Sequence, residues 1–186
     1  STKPIDQKLM DEALSRLGED ELRRQTLLGG YRIVDRRTAA PDLLARDTVQ
    51  IAAGGIMVPE AIIAARRLHE EGVAANVINV TSARRLYRTL REARGQQLAN
   101  AWRDADLGHL ATLIPVDERR APIVTVQDGA SHGLAFLGSI YGAPTVPLGM
   151  DQWGQSGSRA ELYDYAGIDA DEIVNAAMLA LELNEE

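Results

Sequence analysis

The chain has 186 residues, of which 45% are hydrophobic, enough for about one domain with a sizeable core. Its 20 basic and 27 acidic side chains give a formal charge of -7, the wrong sign for a protein that binds nucleic acid by neutralising phosphates. Cysteine is absent, which excludes disulfides, thiolate nucleophiles and cysteine-ligated metals. No apolar run approaches the roughly 18 residues of a membrane span, and no signal-peptide pattern opens the chain. We therefore expect a cytoplasmic protein with neither nucleic acid nor membrane as partner.

The first 28 residues are strongly polar and differ in composition from the rest of the chain. Their few apolar side chains recur at helical spacing, and we interpret residues 1–28 as an arm or linker from a preceding domain rather than as core. The domain proper is predicted over residues 29–186. Gly29 and Gly30 break the helical pattern, and residues 31–37 are predicted to form an edge strand, because their charged side chains require at least one face in water.

From Thr48 onward, short apolar runs alternate with helical patterns. Strands are predicted at 48–55, 76–81, 122–127 and 145–149, and helices at 59–72, 83–94 and 131–141. A last helix begins after Asp169, which with Glu172 makes a capping-box pattern. Strands so far apart in the chain pair in parallel through right-handed crossovers. The sequence thus predicts a three-layer α/β/α domain, with residues 31–37 as the one candidate for an antiparallel edge strand.

The Gly54-Gly55 pair lies between a strand and a helix, where dinucleotide-binding folds hold a pyrophosphate. The third glycine of that motif is missing, Pro59 removes one donor amide, and Glu60 puts negative charge where an anion would bind. We therefore interpret Gly54 and Gly55 as a structural turn.

His132 follows a predicted parallel strand, at the edge where α/β sheets place their ligand crevices. No second histidine stands three or four positions from any of the three histidines, so no metal site is predicted. A serine nucleophile at Ser156, with His132 and Asp151, is the hydrolase alternative. The nucleophile elbow requires Gly-x-Ser-x-Gly, however, and Ser158 stands at its last position. An ordered loop without a catalytic residue is the favoured interpretation.

An arginine-rich run marks the predicted helix at 83–94. Arg84, Arg88 and Arg91 share one helical face, which could meet an acidic subunit or a phosphate. A solvated face is the alternative that we favour from the sequence.

Three segments together resemble the C-terminal domain of the transketolase superfamily, most closely that of the homodimeric, pyruvate dehydrogenase type decarboxylating subunit of 2-oxo acid dehydrogenase complexes. The first segment, residues 49–82, is similar to that family's strand, glycine turn, alanine-rich helix and second strand. The second runs from Trp102 to the strand at 122–127. The third, residues 151–169, resembles the family pattern Asp-x-Phe-Gly-x-Ser-x-Ser-Arg-x-x-Leu, with Trp153 where phenylalanine is usual.

The resemblance implies a mixed five-stranded sheet whose first strand is antiparallel. In this family, thiamine diphosphate and magnesium lie between two other domains, and this chain lacks the Gly-Asp-Gly that opens the diphosphate motif. The chain alone is therefore expected to bind no cofactor and to be inactive. It would support a homodimer and the remaining domains of a parent enzyme that passes acyl groups to a lipoyl-bearing acyltransferase. Residues expected at the active-site rim or an interface are His132, Asp151, Trp153, Gly154, Ser156, Ser158 and Arg159.

Two alternatives remain open at this point. The chain could be the C-terminal domain of transketolase itself, or of a relative that acts on another substrate. It could also be a stand-alone module that binds a small anion or dimerises.

Overall fold

A computed structural model describes residues 10–43, 47–101, 106–152 and 156–185 of the chain. Its sheet has five strands in the order β1-β3-β2-β4-β5. Strand β1 pairs antiparallel with β3, and the other neighbours pair in parallel, which confirms the predicted mixed sheet. The strands are β1 (Gly30–Val34), β2 (Thr48–Gly54), β3 (Ala74–Val80), β4 (Ile123–Gln127) and β5 (Thr145–Leu148).

Helices cover both faces of this sheet, as the alternating pattern predicts. In chain order they are α1 (Asp11–Leu17), α2 (Glu19–Leu28), α3 (Arg36–Ala39), α4 (Val58–Glu70), α5 (Ala83–Ala99), α6 (His109–Leu113), α7 (His132–Ala135), α8 (Arg159–Ala166) and α9 (Ala170–Glu185). No helix in the described part of the chain is both long and apolar enough to cross a membrane.

Two apolar clusters fill the spaces between the central sheet and the helical layer on each of its faces. The first packs α4, α9 and the N-terminal helices against one face of the sheet, with Ile51, Leu68 and Ile173 at its centre. The second packs α5, α6 and α7 against the other face, around Leu86 and Leu110. The central strands are covered on both sides, which is why β2 and β4 are nearly continuous apolar runs rather than alternating ones.

Helices α1 and α2 pack on the sheet rather than standing apart from it. Ala13 is fully buried and Leu22 is 6% exposed, both within the first cluster. The Arg16 side chain also donates a hydrogen bond of 2.6 Å to the carbonyl of Arg32 in β1. These residues therefore belong to the core of the domain, while the boundary at residue 28 and a preceding domain stay predictions.

Strand β1 lies at the sheet edge as predicted, but the expectation that its charges face water is wrong. All five of its residues are buried, and Arg32 is only 4% exposed. Its Nε donates 2.8 Å to the carbonyl of Leu113, and its guanidinium pairs with the Glu118 carboxylate. The charge is neutralised by a partner from a distant segment instead of by solvent.

Glu118 is the centre of a buried polar network at the amino ends of the parallel strands. Besides Arg32, its carboxylate accepts hydrogen bonds from Arg36 at 2.9 Å, Gln50 at 3.0 Å and Asn76 at 3.3 Å. Burial alone would raise the pKa of Glu118, but these donors and the positive charge of Arg32 lower it to about 2. The network joins β1, β2 and β3 to the segment that enters β4.

The predicted helix at 131–141 is shorter than expected. Helix α7 ends at Ala135, and a separate 3-10 helix follows over Phe136–Ile140. Gly138 lies so close to Thr145 of β5 that a Cβ atom there would collide with the threonine side chain. Gly138 therefore allows this segment to pack closely against β5, rather than extending α7. The predicted start of the last helix is confirmed, since Asp169 Oδ1 accepts a 2.8 Å bond from the amide of Glu172.

Strand β5 forms the other edge of the sheet. It has only four residues, pairs with β4 alone, and carries Pro147 at an exposed position. A proline in an edge strand has its missing N–H on the side that has no neighbouring strand.

Candidate functional site

The carboxyl ends of β2, β4 and β5 meet at one edge of the sheet, where α/β folds of this kind place ligand crevices. We call the described residues that end or follow these strands the strand-end rim. It comprises Gly54–Gly55, Gln127–His132, Gly149–Gln152 and Ser156–Arg159.

The loops after β4 and β5 are joined closely within this rim. The amide of Met150 donates a 2.7 Å hydrogen bond to the carbonyl of Gly129. A Cβ on Gly149 would stand 2.5 Å from that carbonyl oxygen and 2.6 Å from Ser131 Cα, so only glycine permits this approach.

Asp151 completes the junction between the two loops. Its Oδ1 accepts a 2.9 Å hydrogen bond from the Ser131 amide. Hydrogen bonds from the hydroxyl and the amide of Ser131 lower the pKa of Asp151, with a smaller contribution from nearby His132. The carboxylate is therefore an ionised anchor that holds the start of α7 in place.

On the β2 side, the turn into α4 depends on Gly55, whose φ is +59°. The Glu60 carboxylate in the first turn of α4 accepts from the Arg159 guanidinium at 3.3 Å. Arg159 also lies over the ring of Tyr163, with its Cζ 5.0 Å from the ring centroid. One arginine thus connects the start of α4 with the start of α8.

Helix α8 begins with a complete capping box. The Ser158 hydroxyl accepts from the Glu161 amide at 3.4 Å, and the Glu161 carboxylate accepts from the Ser158 amide at 2.8 Å. These bonds also lower the pKa of Glu161. The loop before α8 therefore has a fixed end.

A cavity of about 190 Å³ opens beside the rim, between the end of β5 and helix α8. It is lined by Gly149, Met150, Asp151, Gln152, Tyr165 and Ala166. Among these described residues the only charged side chain is the Asp151 carboxylate, so the cavity is poorly suited to a phosphate or another anion.

The hydrolase triad considered from the sequence is not assembled. Asp151 binds the backbone next to His132 rather than its ring, and within the described residues no hydrogen bond joins Ser156 to His132. His132 is the first residue of α7. Among the described residues, no three potential metal ligands cluster either. Trp153 and Gly154, predicted at the rim, lie outside the described residues, as does Trp102.

Sequence reasoning missed two features of the rim. The first is the ion pair between Arg159 and Glu60, whose partners are 99 residues apart. The second is the Ser131 amide and hydroxyl as partners of Asp151. The only sequence signal at these residues was local: Tyr163 lies one helical turn after Arg159, which indicates the contact between those two side chains but not the ion pair with Glu60.

The geometry is that of an α/β domain with one antiparallel edge strand. Its strand-end loops are firmly anchored, and over the described residues they bring together no nucleophile and base. The chain belongs to the family described as the transketolase-like TK C-terminal domain, whose sequence model matches residues 29–169. The superfamily resemblance is thereby confirmed, and the match begins at Gly29, the residue directly before β1.

Solved structures support the same fold. A split-gene transketolase, described as an inactive beta4 tetramer, is similar with a TM-score of 0.56 and 22% identity, over 84% of this chain and 43% of that one. Transketolase from Leishmania mexicana matches with a TM-score of 0.58 and 23% identity, over 88% of this chain and 19% of that one. A transketolase from Pichia stipitis in complex with sedoheptulose-7-phosphate matches with a TM-score of 0.58 and 18% identity, over 87% of this chain and 19% of that one.

The chain spans less than half the length of each of these structures. A comparison with curated proteins finds no match.

Proposed function

We propose that this chain is the noncatalytic C-terminal domain of a thiamine-diphosphate-dependent decarboxylating subunit of the pyruvate dehydrogenase type. The observation that supports this role is that the segment resembling that family is anchored at two places, at its start and at its Ser-x-Ser-Arg portion. Its first residue, Asp151, binds the loop after β4, while Ser158 and Arg159, further along the same pattern, fix α8 and bind α4. The domain would hold this segment in a defined position at the edge of a neighbouring domain's active site.

The described residues do not fit thiamine diphosphate itself. The strand-end cavity presents the Asp151 carboxylate, and the turn after β2 is followed by Pro59, without an amide hydrogen, and by the Glu60 carboxylate. A diphosphate at either place would face negative charge. The cofactor and its magnesium ion would therefore be held by the other domains of the parent enzyme, and this chain would contribute only positioning.

The proposal includes partners and a compartment. The parent would be a cytoplasmic homodimer, and its acyl product would be received by a lipoyl-bearing acyltransferase. The dehydrogenase type is favoured over its relatives by the Ser-x-Ser-Arg motif at Ser156–Arg159 of this segment.

The C-terminal domain of a transketolase is the second candidate. The family match is equally consistent with it, and the solved structures that resemble this chain are transketolases. A stand-alone anion-binding module is disfavoured, because the strand-end cavity carries a carboxylate.

The test uses the parent polypeptide, expressed from the reading frame that contains this segment, with the 186-residue chain assayed beside it. We would measure pyruvate decarboxylation and two-carbon transfer between sugar phosphates, each with and without thiamine diphosphate and magnesium. Cofactor-dependent decarboxylation by the long form, with an inert short form, is the expected result. Two-carbon transfer alone would favour the transketolase candidate, and turnover by the short form would contradict both.

A variant pair tests the positioning role in the same parent. Arg159→Ala removes the ion pair with Glu60 at the rim, while Arg67→Ala removes an exposed ion pair with Asp171 between α4 and α9, away from the strand ends. We expect kcat/KM to fall about tenfold in Arg159→Ala and to stay unchanged in Arg67→Ala. Equal activity in both variants would show that the rim does not position the active site.

A further inference from the structure

Helix α5 concentrates positive charge on the surface of an acidic chain. It carries five arginines and one glutamate within 17 residues, whereas the whole chain has a net charge of -7. Its inner side chains Leu86 and Leu90 are buried in the second apolar cluster, so the helix is held firmly against the sheet. Its outer side is exposed along several turns.

The arrangement opposes the helix dipole. Arg84 and Arg85 lie in the first turn of α5, where the backbone presents the positive end of the dipole, and that turn contains no acidic residue. Carboxylates are the side chains that stabilise this position in a helix. The two arginines therefore make helix formation less favourable than neutral residues would.

The arginines also repel one another. Arg84, Arg88 and Arg91 follow the i, i+4, i+7 spacing that places side chains on one helical face. Of these, only Arg88 has a carboxylate nearby in the described part of the chain, Glu92 at 3.8 Å, and both side chains of that pair are 67% exposed. Over the same residues, no ion pair neutralises Arg84 or Arg91.

Not every arginine of the helix shares this situation. Arg94 turns back onto the domain and donates to the carbonyls of Ser139 at 2.6 Å and Ile140 at 2.7 Å. Its role is structural. Among the described residues, the arginines earlier in the helix have no such carbonyl partner, which separates them from Arg94.

An aromatic side chain lies among these charges. Tyr87 is 47% exposed and belongs to the same face, between Arg84 and Arg91 in the helical order. Its ring packs edge-on against Phe136, with centroids 5.3 Å apart, which fixes its orientation. A held tyrosine beside exposed guanidinium groups is the composition typical of protein interfaces.

We propose that this surface, which we call the α5 arginine face (Arg84, Tyr87, Arg88 and Arg91), docks an acidic segment of another polypeptide. Carboxylates of the partner would pair with guanidinium groups spread over about 10 Å of helix. A helix face is convex and extended, which suits a polypeptide with charges spaced along it rather than a small anion in a concave site. A nucleic acid would extend beyond this face onto the rest of a chain whose net charge is -7, whereas a short acidic segment can stay on the face itself.

The test measures fluorescence anisotropy of a labelled, alanine-based peptide of about 18 residues whose glutamates follow the same helical spacing. A peptide with glutamine in place of glutamate and a labelled oligothymidine are the other probes. The chain is compared with Arg84→Gln/Arg88→Gln/Arg91→Gln. A matched variant makes the same charge change at exposed arginines elsewhere: Arg66→Gln, Arg119→Gln and Arg120→Gln.

We expect the α5 variant to bind the acidic peptide about tenfold more weakly at low salt, and the matched variant to bind nearly as the unchanged chain does. The glutamine peptide should not bind. Equal losses in the two variants would overturn the proposal in favour of bulk charge, and tighter binding of oligothymidine would identify nucleic acid instead. Self-association that the α5 variant abolishes, without peptide binding, would overturn it in favour of a second copy as the occupant.

Thermal unfolding gives an independent readout. Because the three arginines repel one another and oppose the helix dipole, the α5 variant should melt at the same temperature as the unchanged chain or higher. A lower melting temperature would show that these arginines stabilise the fold, which would also overturn the proposal.

Discussion

At the scale of single residues, Glu118 shows how a buried charge can stabilise this domain. Its carboxylate is 1% exposed and has partners on β1, β2 and β3. Removing one partner from such a network leaves the others unpaired, which is more costly than replacing the whole network by apolar groups.

We expect Glu118→Gln to lower the free energy of unfolding by about 3 kcal/mol, because buried Arg32 would lose its nearer counter-charge and keep only Asp35, whose carboxylate lies 3.6 Å away. Asp117→Asn is the matched control. That neighbouring carboxylate is 60% exposed and pairs with Arg37 at 2.8 Å, so its loss should cost less than about 1 kcal/mol. Urea unfolding measures both, and equal effects would contradict the central role of Glu118.

The same residue predicts a pH dependence. The pKa of Glu118 is about 2 in the folded chain, below its ordinary value of 4.5, so the unfolded chain binds the proton more tightly. The stability contributed by the ionised carboxylate is therefore fully present above pH 4.5 and is lost as the pH falls from there towards 2. Urea unfolding at a series of pH values should show that the difference in free energy of unfolding between the unchanged chain and Glu118→Gln becomes smaller over this window. A constant gap would rule out this ionisation as its cause.

A further prediction concerns Gly149 in the strand-end rim. Gly149→Ala would push a Cβ into the backbone of Gly129 and Ser131, and we expect a loss of more than about 1 kcal/mol. Gly95→Ala in α5 meets nothing within 4 Å and should stabilise the chain by about 0.5 kcal/mol. Denaturant unfolding, with amide spectra of residues 128–132, would check both. Undisturbed spectra in Gly149→Ala would contradict the close approach.

At the scale of elements, the short helix α8 depends on its first turn. Ser158→Ala removes one half of the capping box, and we expect a loss of about 1 kcal/mol together with faster amide exchange across α8. Ser15→Ala, at an exposed position within α1, is the control and should change little. Unchanged exchange in Ser158→Ala would mean that α8 is held by its contacts with the rest of the domain rather than by its cap.

Elements were predictable from the sequence where the signal was local. The strands at β2 and β4 coincide with apolar runs, and the cap at Asp169 depends on a residue three positions away. The burial of Arg32 was not predictable, because its partner Glu118 is 86 residues away. The early end of α7 depends on Thr145, which no local pattern links to Gly138. The described rim residues were expected at this edge of the sheet, but their partners are distant in the chain and therefore leave no local signal.

At the scale of the whole molecule, the N-terminal helices are part of the folding unit. Leu22→Ala and Leu27→Ala change the same side chain on α2, but the first is 6% exposed and the second 60%. We expect a loss of about 2 kcal/mol or more for Leu22→Ala and less than about 0.5 kcal/mol for Leu27→Ala. A chain that begins at residue 29 should melt at a clearly lower temperature than the full chain. If it melts at the same temperature, α1 and α2 do not contribute to the core.

The proline in β5 has a consequence for the domain when it is on its own. A sheet edge with a complete row of free amides and carbonyls is a template on which further chains can add, strand upon strand, into fibrils. Pro147 interrupts that row in a strand of only four residues. Pro147 therefore disfavours the addition of a further strand to β5 even when no neighbouring domain covers this edge, which makes the edge a poor template for a growing sheet when the domain is concentrated on its own.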